Sequence, residues 1–209
     1  MTISTPTTPF TEPAPAPALE RAATALRSHG FTVEILDDVA AARVRVDDLM
    51  PDGASVLTAA SETLRLSGID DDLNASGRYQ AVRPTTLAMD RVTAADDIRR
   101  LRATPDFVVG SVHAVTETGS IVVASGTGSQ LPAYSGGAAR AIWVVGAQKL
   151  VPDLPTALRR VEEHCLPLES ARAQAVYGSP SAIGRLLVLN LEMNPERVTV
   201  LLLREAIGF

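Results

Sequence analysis

The sequence predicts an α/β fold whose mostly parallel β-sheet is covered on both faces. Short segments rich in Val, Leu, Ile and Ala, typical of buried strands, alternate with segments whose apolar residues recur at helical spacing. Of the 209 residues, 46% are hydrophobic but only 4% are aromatic, so we expect a sizeable aliphatic core. This length suits a single domain.

Predicted helices and strands alternate from residue 18 to the last residue. The helices cover 18–29 and 39–49, begin again at 61–63, and follow at 93–102 and 153–165. The strands cover 31–35, 55–59, 107–109, 119–125, 141–145 and 197–203. Thr93 and Asp96 are interpreted as a capping box. Residues 70–90 are polar and ambiguous, with a strand suggested at 78–82.

The first residues differ in composition from the rest of the chain. Residues 1–17 contain five Pro and several Thr but few large apolar side chains. Such a segment buries too little apolar surface to fold by itself, so we expect a disordered or extended tail. Residues 18–209 are predicted to form one domain.

The composition argues against several classes of function. The net charge of −5 is spread along the chain, and no basic stripe indicates a nucleic-acid partner. The single cysteine, Cys165, permits neither an internal disulfide nor an iron–sulfur cluster held by this chain. Its helical spacing from Ala157 and Val161 favours a core position over a redox thiol, which would need an exposed, electropositive setting.

The sequence also bears on location, metals and cofactors. No apolar run reaches the roughly 18 residues of a membrane span. No secretory signal is recognised before Arg21, so we expect a cytoplasmic protein. His29, His113 and His164 lack metal-ligand spacing, and no metal site is predicted. The dinucleotide fingerprint and the P-loop are also missing, so no cofactor is expected. His113 lies four residues before Glu117 and stays open as a site residue, although lone histidines are more often structural.

Three loops rich in Gly, Ser and Thr are candidates for a ligand site, because ligands of parallel sheets bind at the carboxyl ends of strands. The first loop comprises Ser61, Glu62 and Thr63. It can present backbone N–H groups and hydroxyls to an anion at the start of a helix, although helix capping also explains Ser61.

The second loop places a carboxylate, Glu117, beside a glycine turn and continues through Thr118, Gly119 and Ser120. Glu117 is our candidate catalytic residue, as a nucleophile or a general base, or else a hydrogen-bond acceptor for a ligand. The alternative is a turn carboxylate that caps nearby amides.

The third loop consists of Gly126, Thr127, Gly128 and Ser129. Its two glycines allow backbone N–H groups to approach a phosphate or carboxylate closely. Six of the fourteen glycines fall between Gly119 and Gly146, and this density favours a functional loop.

Lys149 is the only lysine beside eighteen arginines. Codon bias towards arginine explains the rarity of lysine, yet a lysine retained against that bias is a candidate ligand-binding residue. Since parallel strands end at one edge of a sheet, we expect Glu117 at the mouth of a cleft, near the loops of Ser61 and Gly126. A charged side chain there needs amides, hydroxyls or Lys149 as partners.

The central segment contains the run from Val112 to Val123, VHAVTETGSIVV, followed by Gly126-Thr127-Gly128. These residues resemble the signature of the lactate-utilisation (LUD) domain family. Residues 141–145, Lys149 and 151–153 resemble the family's next stretch, and residues 56–69 and 197–209 are also similar to it. The match covers most of residues 18–209.

This resemblance implies a three-layer α/β/α sandwich of the NagB/RpiA/CoA transferase-like type. It also implies a role like that of lactate utilisation protein C, a small subunit that works with iron–sulfur subunits oxidising lactate to pyruvate. Within that fold class, residues 116–119 are similar to the segment in which CoA transferases carry a nucleophilic Glu. Residues 126–129 look like the phosphate loop of ribose-5-phosphate isomerases.

Two hypotheses of function follow. In the first, the protein is a non-redox accessory or regulatory subunit in lactate or organic-acid utilisation that binds a small anionic metabolite. In the alternative, it is an enzyme or sensor acting on a phosphorylated sugar or CoA thioester through Glu117 and the glycine-rich loops. A purely structural interaction protein is a third interpretation, and formation of a homo-oligomer stays open.

Overall fold

The computed structural model describes residues 10–209, which form an α/β fold with two β-sheets. The larger sheet has six strands, all parallel, and the smaller sheet has four strands of mixed direction. The predicted α/β fold with a mostly parallel sheet is confirmed. The second sheet was not predicted.

The parallel sheet has the strand order β1-β10-β7-β4-β2-β3. Its strands are β1 (Thr32–Leu36), β2 (Ser55–Thr58), β3 (Gln80–Ala81), β4 (Phe107–Gly110), β7 (Arg140–Gly146) and β10 (Val198–Leu203). The central strands are apolar apart from Arg140 at the exposed start of β7, as expected for strands buried on both faces. Their carboxyl ends therefore meet at one edge of the sheet.

The smaller sheet has the order β8-β5-β6-β9. It contains β5 (Ala114–Thr116), β6 (Ile121–Ser125), β8 (Leu150–Val151) and β9 (Arg185–Leu189). β5 and β6 form an antiparallel hairpin, whose turn is the second candidate loop. The segment 119–125, expected among the parallel strands, therefore contributes a strand to this other sheet.

Eight α-helices cover the sheets within the described residues. They are α1 (Ala16–Ser28), α2 (Val39–Leu49), α3 (Glu62–Ser67), α4 (Ile69–Ala75), α5 (Val82–Ala88), α6 (Ala95–Ala103), α7 (Leu154–Arg160) and α8 (Leu166–Tyr177). A π-helical turn, Val161–Cys165, joins α7 to α8 in one continuous helix. Pro167 has no N–H to donate four residues back, which accounts for the irregular turn just before it.

The two faces of the parallel sheet are covered differently. On one face, apolar residues of α2, α3 and α4 pack against the sheet, including Val46, Leu64 and Ile69. On the other, α1 packs together with the inner face of the small sheet, through residues such as Leu26 and Ile121. The outer face of the small sheet is covered by α7 and the π-helical turn.

Two local predictions differ from the structure. The ambiguous residues 70–90 contain α4 and α5 as well as the short strand β3. The predicted capping box at Thr93 is wrong, because α6 has Ala94 as its N-cap and makes no side-chain cap. Thr93 instead binds Asp90 in the preceding turn, through its backbone N–H and its hydroxyl.

The predicted tail falls partly on residues 1–9, which lie outside the described residues. Further along, the Arg160 guanidinium carbon lies over the Phe10 ring, 5.9 Å from its centroid, and α1 begins at Ala16.

Between residues 10 and 209, none of the helices combines the length and the apolarity needed to cross a membrane.

Candidate functional site

A large cavity lies at the carboxyl edge of the parallel sheet. Its volume is about 740 Å³, within the range of small-molecule sites. It is bounded by the segments that follow β2, β4, β6 and β7 and by one face of the long helix α7–α8. This is the position at which parallel α/β sheets bind ligands.

Lys149 is buried in the wall of this cavity. Only 2% of the residue is exposed, and its Nζ donates hydrogen bonds to Thr63 Oγ1 at 2.9 Å and to Ser111 Oγ at 3.0 Å. It forms no ion pair with any carboxylate in residues 10–209. Burial, aided by the nearby Arg160, lowers the pKa of the Lys149 amine from 10.5 to about 7.

Each partner of Lys149 is itself positioned by the fold. Thr63 lies in the first turn of α3, and its hydroxyl donates to the Ile207 carbonyl at 3.3 Å, so that its oxygen is left to accept from Lys149. The Gln148 side chain fixes the position of Ile207, through hydrogen bonds with the backbone of Ile207 and Gly208. Ser111 follows the last residue of β4.

Arg160 adds a second buried positive charge behind Lys149. Its guanidinium is fully buried, donates to the Gln148 and His113 carbonyls, and lies 2.9 Å from Cys165 Sγ. Burial lowers the pKa of Arg160 and raises the pKa of the Cys165 thiol. Cys165 is therefore a protonated, buried thiol at neutral pH, in agreement with the expected core position, and the residue is part of the cavity wall.

His113 lines the cavity as a neutral imidazole. Its Nδ1 accepts a hydrogen bond from the Ala124 N–H at 3.1 Å, which assigns the ring proton to Nε2. Burial, together with the charges of Lys149 and Arg160, lowers its pKa to about 3. His113 can therefore donate a hydrogen bond to a ligand throughout the neutral pH range.

The mouth of the cavity carries a cluster of arginines, Arg83, Arg91 and Arg102. Arg83 is paired with Asp70 at 3.1 Å. Arg91 and Arg102 make no ion pair with the described residues. Burial lowers the pKa of the Arg102 guanidinium, with contributions from the charges of Arg83 and Arg91. Like charges held together in this way attract an anion.

The first candidate loop lies at the cavity and has several roles. Ser61 caps α3 by accepting the Leu64 N–H, as the alternative interpretation expected. Glu62 is paired with Arg65 at 2.7 Å, which lowers the pKa of its carboxyl. Thr63 is the member that reaches Lys149.

The third loop also borders the cavity, through Gly126, Thr127 and Ser129. Gly128 does not line it; this glycine has a positive φ of 78°, and an added Cβ would lie 2.6 Å from Arg185. Its N–H is bound to Ser125 Oγ. The glycine therefore serves the turn, and the ligand-facing atoms belong to its neighbours.

The second loop lies apart from the other two. Glu117, Thr118, Gly119 and Ser120 form the hairpin turn between β5 and β6, and none of them lines the cavity. Glu117 pairs with Arg21 of α1 at 2.6 Å, and Ser120 binds Asn190. Because β6 runs from this turn to Ser125, the two loops lie at opposite ends of one strand, about 15 Å apart. The expected meeting of Glu117 with the loops of Ser61 and Gly126 is thus not found.

Several cavity residues, among them Ser111, Arg91 and Arg102, were not sequence candidates. Arg160, which lies behind Lys149, was expected only as part of an amphipathic helix. Ser111 had a usable signal, since it directly follows the buried strand Phe107–Gly110, where ligand-binding loops begin. The arginines had none, because their segments were ambiguous or simply helical. Among residues 10–209, no three His, Cys, Asp or Glu side chains cluster as metal ligands.

Comparison with known proteins agrees with this architecture. The model of the LUD domain family matches residues 19–203. The crystal structure of a DUF162 family protein from Deinococcus radiodurans superposes with a TM-score of 0.55 and 14% sequence identity, covering 90% of this chain and 97% of that one. A search of curated proteins finds no match. Since the family model spans most of the sequence, the chain belongs to the LUD domain family.

Proposed function

We propose that this LUD-domain protein binds a small anionic metabolite in the cavity around Lys149. The observation that carries the proposal is the Lys149 amine itself, buried in the cavity wall with two hydroxyl partners and no carboxylate among the described residues. A buried cation without a counter-ion is costly, and an anionic ligand supplies the missing charge.

The charges around Lys149 support an anion. Among the side chains that line the cavity are Lys149 and four arginines, against two carboxylates, Glu62 and Glu169. Both carboxylates are already paired with arginines, at 2.7 and 2.6 Å. The positive charges of Lys149, Arg91 and Arg102 are therefore available to a ligand, together with the Nε2–H of His113 and the hydroxyls of Ser61 and Thr127.

Membership of the LUD family supports a role in lactate or organic-acid utilisation. In this proposal the chain is a non-redox accessory or regulatory subunit, because its one thiol is buried and protonated and cannot hold an iron–sulfur cluster alone. Iron–sulfur subunits are its proposed partners and the cytoplasm its proposed location. The parallel sheet also supports a relation to the NagB/RpiA/CoA transferase-like fold.

The alternative is an enzyme or sensor for a phosphorylated sugar or a CoA thioester. The arginine cluster and the Gly126 loop suit a phosphate as well as they suit a carboxylate. A nucleophilic Glu117 no longer belongs to this alternative, since its carboxylate is paired with Arg21 outside the cavity. Identification of the ligand separates the two functions.

Thermal-shift measurements test the proposal with lactate, pyruvate, a sugar phosphate and a CoA ester. A ligand at 100 times its Kd adds about 2.7 kcal/mol to the free energy of unfolding. Arg102→Gln is expected to weaken binding about tenfold, the equivalent of one charged hydrogen bond of about 1.4 kcal/mol.

Arg99→Gln is the matched control, because Arg99 lies on the same helix α6 but pairs with Asp96 away from the cavity. Equal weakening by both variants would indicate a general charge effect. Absence of stabilisation by every compound would contradict the proposal and favour a structural interaction protein.

A further inference from the structure

We propose that the Lys149 amine forms an imine with the carbonyl carbon of an aldehyde or ketone that also carries a carboxylate or a phosphate. This inference rests on the proposed function, since it names the class of metabolite that the cavity binds. It assigns Lys149 a covalent role, beyond that of a charge partner.

The hydrogen bonds of Lys149 leave its nitrogen ready for such a reaction. A neutral amine keeps two N–H groups, and the structure gives Nζ two acceptors, Thr63 Oγ1 and Ser111 Oγ. Both bonds persist when the amine loses its third proton. The remaining tetrahedral position of the nitrogen then holds the lone pair, and Lys149 borders the cavity that a carbonyl group would enter.

The surroundings favour the neutral, nucleophilic form. No carboxylate in residues 10–209 pairs with Lys149, while the fully buried Arg160 repels its positive charge. An amine with a pKa of about 7 is about half unprotonated at neutral pH, whereas an ordinary lysine is almost entirely an ammonium. Desolvation and a cationic neighbour are the means by which proteins activate lysine for imine formation.

The reaction needs no oxidant or cofactor. The Nζ lone pair attacks the carbonyl carbon, and the carbonyl π electrons move to oxygen, which takes a proton as nitrogen loses one. The carbinolamine then loses its hydroxyl with a second proton as water, leaving a C=N bond. His113 lines the same cavity, and we assign its Nε2–H to hydrogen-bond the oxygen during addition.

The anionic requirement comes from the same cavity. Arg91 and Arg102 make no ion pair with the described residues, and they line the cavity together with Lys149. A compound with a carbonyl group and a carboxylate or phosphate group can react with Lys149 and pair with these arginines. The carboxylate class and the phosphate class share this chemistry, and separate probes distinguish them.

Borohydride trapping tests the inference directly, because reduction converts an imine into a stable secondary amine. The full-length protein is treated with pyruvate, with glyceraldehyde 3-phosphate or with methyl pyruvate, then with borohydride, and analysed by intact mass and peptide mapping. Lys149 is the only lysine, so an adduct on its peptide is unambiguous and separable from one on the N-terminal amine. We expect at least one anionic probe to label Lys149 at least tenfold more than methyl pyruvate does, whose carboxylate is masked.

Lys149→Arg keeps a positive charge but cannot form the imine, so its trapped adduct should disappear. Mapping of the wild-type adduct gives the answer even if this variant does not fold. Thermal stabilisation by pyruvate or glyceraldehyde 3-phosphate without any adduct on Lys149 would overturn the imine and leave the proposed function standing. Neither stabilisation nor adduct would overturn both. Labelling confined to the N-terminal amine would also overturn the imine.

Discussion

The buried Lys149 makes a quantitative prediction about stability and pH. The pKa of its amine falls from 10.5, the ordinary value, to about 7 in the folded protein. Between these values the unfolded chain binds one more proton than the folded chain, so the free energy of unfolding rises with pH. The full slope is about 1.4 kcal/mol per pH unit, reached once the folded amine is neutral.

Working from these two pKa values, we expect the wild type to gain about 2 kcal/mol between about pH 7 and about pH 9 relative to Lys149→Met. Methionine has nearly the volume of lysine but no charge, so the variant lacks this gain. The buried thiol acts in the opposite direction, because burial raises the pKa of Cys165. Both proteins are therefore compared in a Cys165→Ala background.

Urea unfolding followed by tryptophan fluorescence suits this comparison. Trp143, the only tryptophan, is fully buried in β7 and reports loss of the core. His113 is neutral in the folded protein across this pH range, and its titration in the unfolded chain is common to both proteins, so it cancels from the comparison. Parallel pH profiles for the two proteins would refute the depressed pKa, and with it the electrostatic basis of the imine.

Three further predictions concern other residues. Glu117→Gln should leave ligand-induced thermal shifts unchanged and cost about 1 kcal/mol or less, since it removes a partly exposed ion pair with Arg21; a loss of binding would return Glu117 to the site. Below about pH 6.5 the wild type should lose stability relative to His113→Gln, because the folded pKa of about 3 lies below the unfolded value; urea unfolding at pH 5 measures this. Gly208→Ala should destabilise by more than about 1 kcal/mol in thermal unfolding, since φ is 67° and the added Cβ lies 2.3 Å from Thr63 Oγ1; an unchanged Tm would contradict that packing.

Predictions from the sequence were most accurate where local preferences, such as apolar spacing and helix capping, agree with the burial that the fold imposes. Helix α2 lies at residues 39–49, as its apolar spacing predicted, and Ser61 begins α3 as its N-cap. The strands Phe107–Gly110 and Val198–Leu203 were recognised because buried parallel strands are apolar on both faces. The prediction for residues 70–90 failed because the helices there are short and bury only two residues each, as with Ile69 and Leu73 in α4.

The shared site with Glu117 failed for a reason of topology. Glu117 was expected at the edge where the parallel strands end. In the structure, β4 ends at Gly110, and the chain crosses at Ser111–His113 into the second sheet before it reaches Glu117. The loop that follows the parallel strand is therefore Ser111–His113, and Glu117 belongs to a hairpin. The loops of Glu117 and Gly126 lie at opposite ends of β6, so they cannot lie at the same edge of a sheet.

By itself, the sequence determined the α/β class, the aliphatic core, most element positions and the loops of Ser61 and Gly126, because these depend on periodicity, propensity and local turns. It also marked Lys149 through composition alone. Only the tertiary structure decided which residues surround that lysine. Its hydrogen-bond partners Thr63 and Ser111 lie 86 and 38 residues away in sequence, and the repelling charge of Arg160 lies 11 residues away. The lysine's pKa depends on these long-range contacts and on the exclusion of water, and neither is encoded in any local segment.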